Sequence, residues 1–146
     1  MKINTRDFGE FEVSNESIIK FVQPLYGFEE FTDYVIIQDD NAPDSIAWLQ
    51  SAENSELCFI LASSNMISGT ENYRKRIPAE ELSKINSEND EFEIWFVMVV
   101  KDSLAESTVN LKSPVVINPA NQSAMQIILE DDLPVRFHAF NEGKGE

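Results

Sequence analysis

Short segments in which hydrophobic and polar residues alternate run along most of this chain, and turn-forming residues separate them. A period of two is typical of a β-strand with one covered face. Helical segments do not alternate with these strands, so the pattern favours a barrel or sandwich over a doubly wound α/β sheet. We therefore predict an all-β domain, mainly β with one short helix, built as a small antiparallel β-barrel. The predicted strands are 2–6, 10–13, 17–22, 34–38, 46–52, 57–62, 91–100, 108–117 and 124–129.

The one helix predicted begins at Pro78, because proline suits a first helical position. Glu80 and Glu81 then place negative charge in the first turn, where the helix dipole favours it. Leu82 and Ile85 share one face, and the helix is expected to end near Asn86. A second, shorter helical turn is predicted at 27–31.

Two of the predicted strands carry additional information. In 91–100, apolar residues occupy both parities, so both faces of this strand should be covered and the strand should be central. In 108–117, Val109, Leu111, Val115 and Ile117 share the core-side parity, but Pro114 interrupts the run. Proline cannot donate a ladder hydrogen bond, so this strand is expected at a sheet edge or at a bulge near 113–114.

The charge of the chain narrows the possible partners. Its 146 residues include 26 acidic and 11 basic side chains, for a formal net charge of −15. This charge disfavours nucleic acid and anionic membranes as direct partners, since both require clustered lysine and arginine. The acidity is spread along the chain, so the folded surface itself should be negative. That surface either keeps the protein in solution or steers a basic partner. We expect one domain over 1–140 and a flexible C-terminal end over 141–146.

Residues with catalytic or metal-binding chemistry are few. A single cysteine, Cys58, lies in an apolar run and is expected to be a buried thiol. The single histidine, His138, is expected to be a surface or packing residue, and one histidine excludes two-histidine metal sites. A Cys58–His138 pair would need a cleft and a third, orienting group. The lone cysteine and the absence of a signal-like N-terminus favour a cytoplasmic protein.

Other motifs also fail to specify a reaction. The acidic segment 39–44 lacks the pattern of a calcium loop. The glycines do not form a phosphate-binding spacing, and the basic cluster 74–76 is expected to be an exposed turn leading into the helix. We therefore predict no metal and no cofactor, and an interaction protein rather than an enzyme.

Several segments together resemble the bacterial flagellar assembly factor family FliW. They are Thr5–Phe11, Tyr26–Glu29, Trp48–Ser51, Leu57–Ile60, Thr108–Asn118 and Gln126–Leu129. They follow the family's order from about residue 3 to 138. The resemblance implies a small β-barrel-like protein, monomeric when free, that binds cytoplasmic flagellin. It also implies that the protein, once released from flagellin, binds and antagonises the translational repressor CsrA, a basic RNA-binding dimer.

Two groups of residues are the predicted partner-binding residues. The first follows the family motif and the expected edge strand, and the second supplies acidic surface. They are Asn110, Lys112, Pro114, Asn118 and Pro119, and Asp39, Asp40, Glu130 and Asp131. Asn110 and Asn118 have an alternative role, which is to satisfy backbone groups at a bulge and a turn.

Two other functions stay open at this point. One is a small acidic β-barrel hydrolase or carbohydrate-binding domain, which would need a concave pocket with two carboxylates and an aromatic residue. The other is a structural subunit associated with secretion, which would assemble with itself without either partner.

Overall fold

Ten short β-strands make up most of the regular structure in the computed structural model, which describes residues 2–41, 45–67, 73–85 and 92–139. Nearly all of them fall on the predicted segments, since alternation set by a covered face locates strands well. They are β1 Lys2–Thr5, β2 Gly9–Glu12, β3 Ile19–Gln23, β4 Asp33–Ile37, β5 Ile46–Ser51, β6 Cys58–Ser63, β7 Glu93–Val99, β8 Thr108–Val109, β9 Val115–Asn118 and β10 Ser123–Gln126.

Seven of these strands close into a barrel. The order is β6-β5-β4-β3-β10-β9-β7, and β7 pairs back onto β6. The barrel predicted from the sequence is confirmed, with one difference: β10 and β3 pair in parallel, whereas the other pairs are antiparallel. This parallel pair joins the first and last strands of the barrel, and closure leaves neither with a free edge on that side.

The barrel interior is filled by alternate residues of every barrel strand. In β4, for example, Tyr34 faces inward and Val35 faces outward, as the period of two requires. Apolar side chains from all seven strands meet in this interior cluster: Phe21, Tyr34, Leu49, Leu61, Trp95, Val115 and Ala124. The interior is therefore a packed core, and partner binding falls to the outside or to the ends of the barrel.

Two separate groups of elements pack on the outer face of the barrel. The β1–β2 hairpin packs over β4 and β5, where Phe8 meets Trp48 edge-on with ring centroids 5.2 Å apart. On the other side, the helical segment and the C-terminal segment cover Ile94, Phe96 and Met98 of β7. Since Trp95 of the same strand faces the interior, the prediction that β7 is covered on both faces is confirmed.

The predicted helix is present but begins one residue later than expected. Pro78 is extended (φ −64°, ψ 140°) and precedes α1, Ala79–Leu82, which continues as a 3₁₀ turn over Ser83–Ile85. Leu82 and Ile85 are both buried, as their shared face predicted. The predicted end near Asn86 lies outside the described residues. Further short 3₁₀ segments are Asn15–Ser17, Ser64–Met66, Tyr73–Arg76 and Leu104–Glu106.

The second helical turn, predicted at 27–31, is wrong. Two successive tight turns occupy this segment, closed by Phe28 N to Leu25 O (2.9 Å) and Phe31 N to Phe28 O (3.1 Å). Gly27, the third residue of the first turn, has φ +91°, which a right-handed helix does not allow. The glycine therefore turns the chain where a second helical turn was predicted.

The segment 108–117 is two strands rather than one. β8 and β9 both pair with β7, and the chain leaves β7 between Asn110 and Val115. The predicted bulge is therefore correct, and Pro114 lies at its end. The edge position is wrong for β9, because β9 pairs with β7 on one side and β10 on the other. The bulge also changes parity, so Val109, Leu111 and Val116 share the outer cluster.

Two buried tyrosines offer a matched stability test. The Tyr73 hydroxyl donates to the Leu111 carbonyl, whereas the buried Tyr34 hydroxyl has no hydrogen-bond partner in the described part of the chain. Tyr73→Phe should lower the free energy of unfolding by about 1–2 kcal/mol, because it leaves a buried carbonyl without a donor. Tyr34→Phe should leave it unchanged or raise it by up to about 1 kcal/mol. Urea unfolding measures the free energy of unfolding of each variant. An equal loss in the two variants would contradict the expected difference between the two hydroxyl groups.

None of the helices described is long and apolar enough to cross a membrane. The predicted flexible end, 141–146, and part of the acidic segment 39–44 lie outside the described residues. The prediction of one domain over 1–140 with a flexible end stays a prediction.

Candidate functional site

The residues predicted to bind partners lie in two separate regions of the barrel. The end of the barrel at which β3 begins and β9 ends is called the upper end here. Asn118 is the last residue of β9 and Pro119 follows it at this end, and Asp39 and Asp40 follow β4 at the same end. The remaining five lie in or beside the bulge, at Asn110, Lys112, Pro114, Glu130 and Asp131. The structure therefore divides both predicted groups, the motif residues and the acidic residues, between the upper end and the bulge.

Most of the bulge group is engaged in holding the bulge itself. Asn110 Oδ1 accepts hydrogen bonds from the backbone N–H groups of Lys112 (3.0 Å) and Ser113 (3.1 Å). Lys112 Nζ donates to the carbonyls of Leu129 (2.9 Å) and Asp131 (2.8 Å). These contacts fasten the bulge to the segment that follows β10. Asn110 therefore satisfies backbone groups, which is the second of its two predicted roles.

The other members of the bulge group differ in exposure. Pro114 is buried, and its carbonyl accepts from Ile127 N (3.1 Å). Asp131 is exposed and pairs with Arg76, and Glu130 is also exposed. Of this group, only the two carboxylates present charge to a partner. Their roles in partner binding stay predictions.

At the upper end, the contacts of Asn118 show a structural role. It is only 4% exposed, and its Nδ2 donates to the Ile85 carbonyl (2.8 Å) while its Oδ1 accepts from Ala120 N (3.0 Å). Asp39 is half-buried and accepts from Asn41 N (3.1 Å), and Asp40 and Pro119 are exposed. Asp40 and Pro119 are thus the members of this group that a partner can reach.

A cavity of about 650 Å³ opens at the upper end, above the barrel interior. Glu16 and Glu93 supply carboxylates to its lining, and Trp95 Nε1 donates to Glu93 Oε1 (3.0 Å). Arg74 stacks 3.9 Å above the Phe92 ring and donates to the Phe92 carbonyl (2.9 Å). The sequence predicted 74–76 as an exposed turn, which is confirmed, but it gave no signal that Arg74 would face this cavity.

The single cysteine behaves as the sequence predicted. Cys58 is 8% exposed at the start of β6, and burial raises the pKa of its thiol to about 11, although the nearby Arg6 guanidinium favours the thiolate. His138 is exposed, with Nδ1 3.4 Å from the Ala105 carbonyl oxygen. Within the described ranges, no three histidine, cysteine or acidic residues cluster closely enough to hold a metal ion.

The raised pKa gives a reactivity prediction for Cys58. At pH 8 a thiol with a pKa of about 11 is roughly one-thousandth ionised, and only the thiolate attacks a disulfide reagent. Ellman's reagent should therefore label the folded protein at least about a hundredfold more slowly than the protein unfolded in urea. The unfolded sample is the control. Equal rates in the two samples would show that Cys58 is accessible and ionised in the folded state.

Comparison with known proteins places this fold in a recognised group. A family model described as FliW protein matches residues 2–139. The flagellar assembly factor FliW of Ruminiclostridium cellulolyticum is 33% identical, over 97% of this chain and 96% of the relative. That of Leptospira biflexa is 33% identical over 89% of this chain and 84% of the relative. A crystal structure of the flagellar assembly factor FliW superposes with a TM-score of 0.86 at 25% identity, covering 98% of this chain and 99% of that chain.

The closed seven-strand barrel, with a helical cover on one side and a hairpin on the other, defines a class of small, acidic β-barrel domain. The family match and the structural superposition both cover nearly the whole chain, so membership of the family does not rest on one motif. The chain belongs to the FliW family.

Proposed function

We propose that this chain is a flagellar assembly factor that binds cytoplasmic flagellin and, when released from it, binds and antagonises the translational repressor CsrA. In this way it couples flagellin synthesis to flagellin secretion. The family match over residues 2–139 carries the proposal, together with relatives that are named flagellar assembly factors. Neither partner requires a reaction at the barrel, so the proposed protein is a binding protein and not an enzyme.

The charge of the chain supports the second partner. A protein that grips RNA must present clustered lysine and arginine, and this chain carries a net charge of −15. Opposite charges steer association and accelerate encounter at low salt. The net charge of this chain is therefore opposite in sign to the one expected of the repressor.

Binding to purified partners tests the proposal. Size-exclusion chromatography should show a 1:1 complex with flagellin, and a separate complex with CsrA. The CsrA complex should weaken as salt rises, because the screening length falls from roughly 10 Å at 0.1 M to roughly 3 Å at 1 M. Failure to bind flagellin, or failure to bind CsrA, at micromolar concentrations would contradict the proposal. Stable self-assembly without either partner would instead favour a structural subunit.

One observation favours a second candidate, the hydrolase or carbohydrate-binding domain. The cavity at the upper end combines the carboxylates of Glu16 and Glu93 with the indole of Trp95, which is the combination that this function requires. Titration with oligosaccharides, followed by tryptophan fluorescence, distinguishes the two functions. A saturable change that is lost in Glu93→Gln would support the second candidate, and an unchanged signal would count against it.

A further inference from the structure

A groove of about 380 Å³ lies beside the parallel pair of β3 and β10, at the end opposite the cavity described above. Three elements form it: the turn after β3, helix α1 and the segment after β10. We call it the β3–β10 groove, lined by Pro24, Tyr26, Glu29, Glu81, Gln126 and Ile128. None of the predicted partner-binding residues lines this groove.

Two large apolar side chains of the groove are exposed. Tyr26 is 75% exposed and Ile128 is 52% exposed. Ile128 points outward because its neighbours Ile127 and Leu129 are buried in the outer cluster, and an extended chain alternates. The backbone N–H groups of those neighbours are fixed by the bulge, at Pro114 O (3.1 Å) and Lys112 O (2.9 Å). The exposure of Ile128 is therefore imposed by the register of the chain.

Glutamine side chains fix the position of Tyr26. Gln126 Oε1 accepts from Tyr26 N (2.7 Å), and Gln23 Nε2 donates to the Gln126 carbonyl (2.9 Å). Gln23 Oε1 in turn accepts from Lys84 Nζ (3.1 Å), which joins the helical segment to the end of β3. The backbone that carries Tyr26 is thus held in place before any partner arrives, which reduces the entropy lost on binding.

The rim of the groove is acidic. Glu81 pairs with Lys84 (3.0 Å), but in the described part of the chain no lysine or arginine lies within ion-pair distance of Glu29. Glu29 Oε2 instead accepts from Gly27 N (3.0 Å), and this backbone hydrogen bond lowers the pKa of its carboxyl. Glu29 therefore stays charged at neutral pH and is available to a cation from outside.

We infer that the β3–β10 groove is the docking surface for the basic, RNA-binding partner. An apolar side chain of the partner packs between Tyr26 and Ile128, and a neighbouring lysine or arginine pairs with Glu29. This inference rests on the proposed function, since it assigns a surface to one of the two partners. Tyrosine anchors inside a charged rim are the usual form of an interface hot spot.

Charge complementarity selects this occupant over a second copy of the chain. A second copy would bring another net charge of −15 against a rim that is already acidic. Like charges facing each other across an interface cost free energy, whereas a basic segment gains from the same rim. The apolar pair supplies the contact area, and Glu29 supplies the preference for a cationic partner.

Alanine substitution of the two apolar residues tests the inference. Tyr26→Ala and Ile128→Ala should each weaken binding of purified CsrA by about tenfold or more, as expected for anchors at the centre of an interface. Val135→Ala is the matched control, because Val135 is also 52% exposed but does not line the groove, and it should bind normally. Thermal unfolding should show that all three variants remain folded, since the altered side chains are exposed.

A charge variant tests the acidic rim separately. Glu29→Gln should weaken CsrA binding about threefold at low salt and show little effect at high salt, because screening removes the same contribution. Normal CsrA binding by Tyr26→Ala and Ile128→Ala would overturn the assignment of this surface while leaving the proposed function intact. An equal loss of flagellin binding would overturn its assignment to one partner. Failure of the unaltered chain to bind CsrA would instead contradict the proposed function.

Discussion

Replacing Gln50 with alanine is expected to lower the free energy of unfolding by roughly 2–4 kcal/mol. Gln50 is fully buried in β5, beneath the β1–β2 hairpin. Its Oε1 accepts from Arg6 N (2.9 Å). Its Nε2 lies within 3.1–3.3 Å of four backbone carbonyl oxygens, one at the end of β5 and three in the loop after it. Alanine would leave both the hairpin donor and the loop acceptors without this partner.

Urea unfolding of the Gln50→Ala variant measures this effect. Gln50→Glu is the informative companion, because it keeps the size and the acceptor but removes the donor and buries a charge. It should be at least as destabilising at pH 7. A change smaller than about 0.5 kcal/mol in Gln50→Ala would show that water or the backbone replaces the amide, and that the hairpin does not depend on it.

Asn118→Ala is expected to lower the free energy of unfolding by roughly 2–3 kcal/mol. The side chain is buried and bridges the turn after β9 to the Ile85 carbonyl, which ends the described helical segment. Helix ends leave carbonyl groups without partners in the helix, so a side-chain donor there stabilises the end. Removing it would take the buried acceptor from the Ala120 N–H of the turn and weaken the attachment of the helical segment.

Asn121→Ala is the matched control for Asn118. Asn121 Nδ2 donates to the same Ile85 carbonyl (3.0 Å), but Asn121 is exposed and water can replace it. Its loss should cost about 1 kcal/mol or less. If Asn118→Ala kept full stability but lost partner binding, the predicted binding role of Asn118 would be correct and the structural account would be wrong.

The sequence predicted the strands more accurately than the way in which they close. Alternation is a local property, so Trp95 and Phe96 on opposite faces of β7 already showed that this strand is covered twice. The parallel pairing of β10 with β3 joins residues such as Ser123 and Lys20, which are far apart in the chain. No local pattern encodes such a pairing. Pro114 did predict a bulge, because a missing N–H is a property of one residue.

The candidate site was harder to predict because its contacts also join residues that are far apart in the chain. Asn118 was predicted as a binding residue from the family motif and the expected edge strand. Its contact with the Ile85 carbonyl, 33 residues away, is invisible in the sequence. Tyr26 and Ile128 belong to segments that resemble the FliW family, yet neither segment shows that the two residues line one groove. Whether a polar or apolar side chain is free to meet a partner depends on contacts that only the fold supplies.

Competition between the two partners tests the central claim most directly. Fluorescence anisotropy of a labelled RNA bound to CsrA should fall when this chain is added, and should recover when flagellin is then added in excess. Recovery requires that flagellin and CsrA compete for one pool of the protein, as the proposed function states. Anisotropy that stays high after the chain is added, or that stays low after flagellin follows, would contradict it.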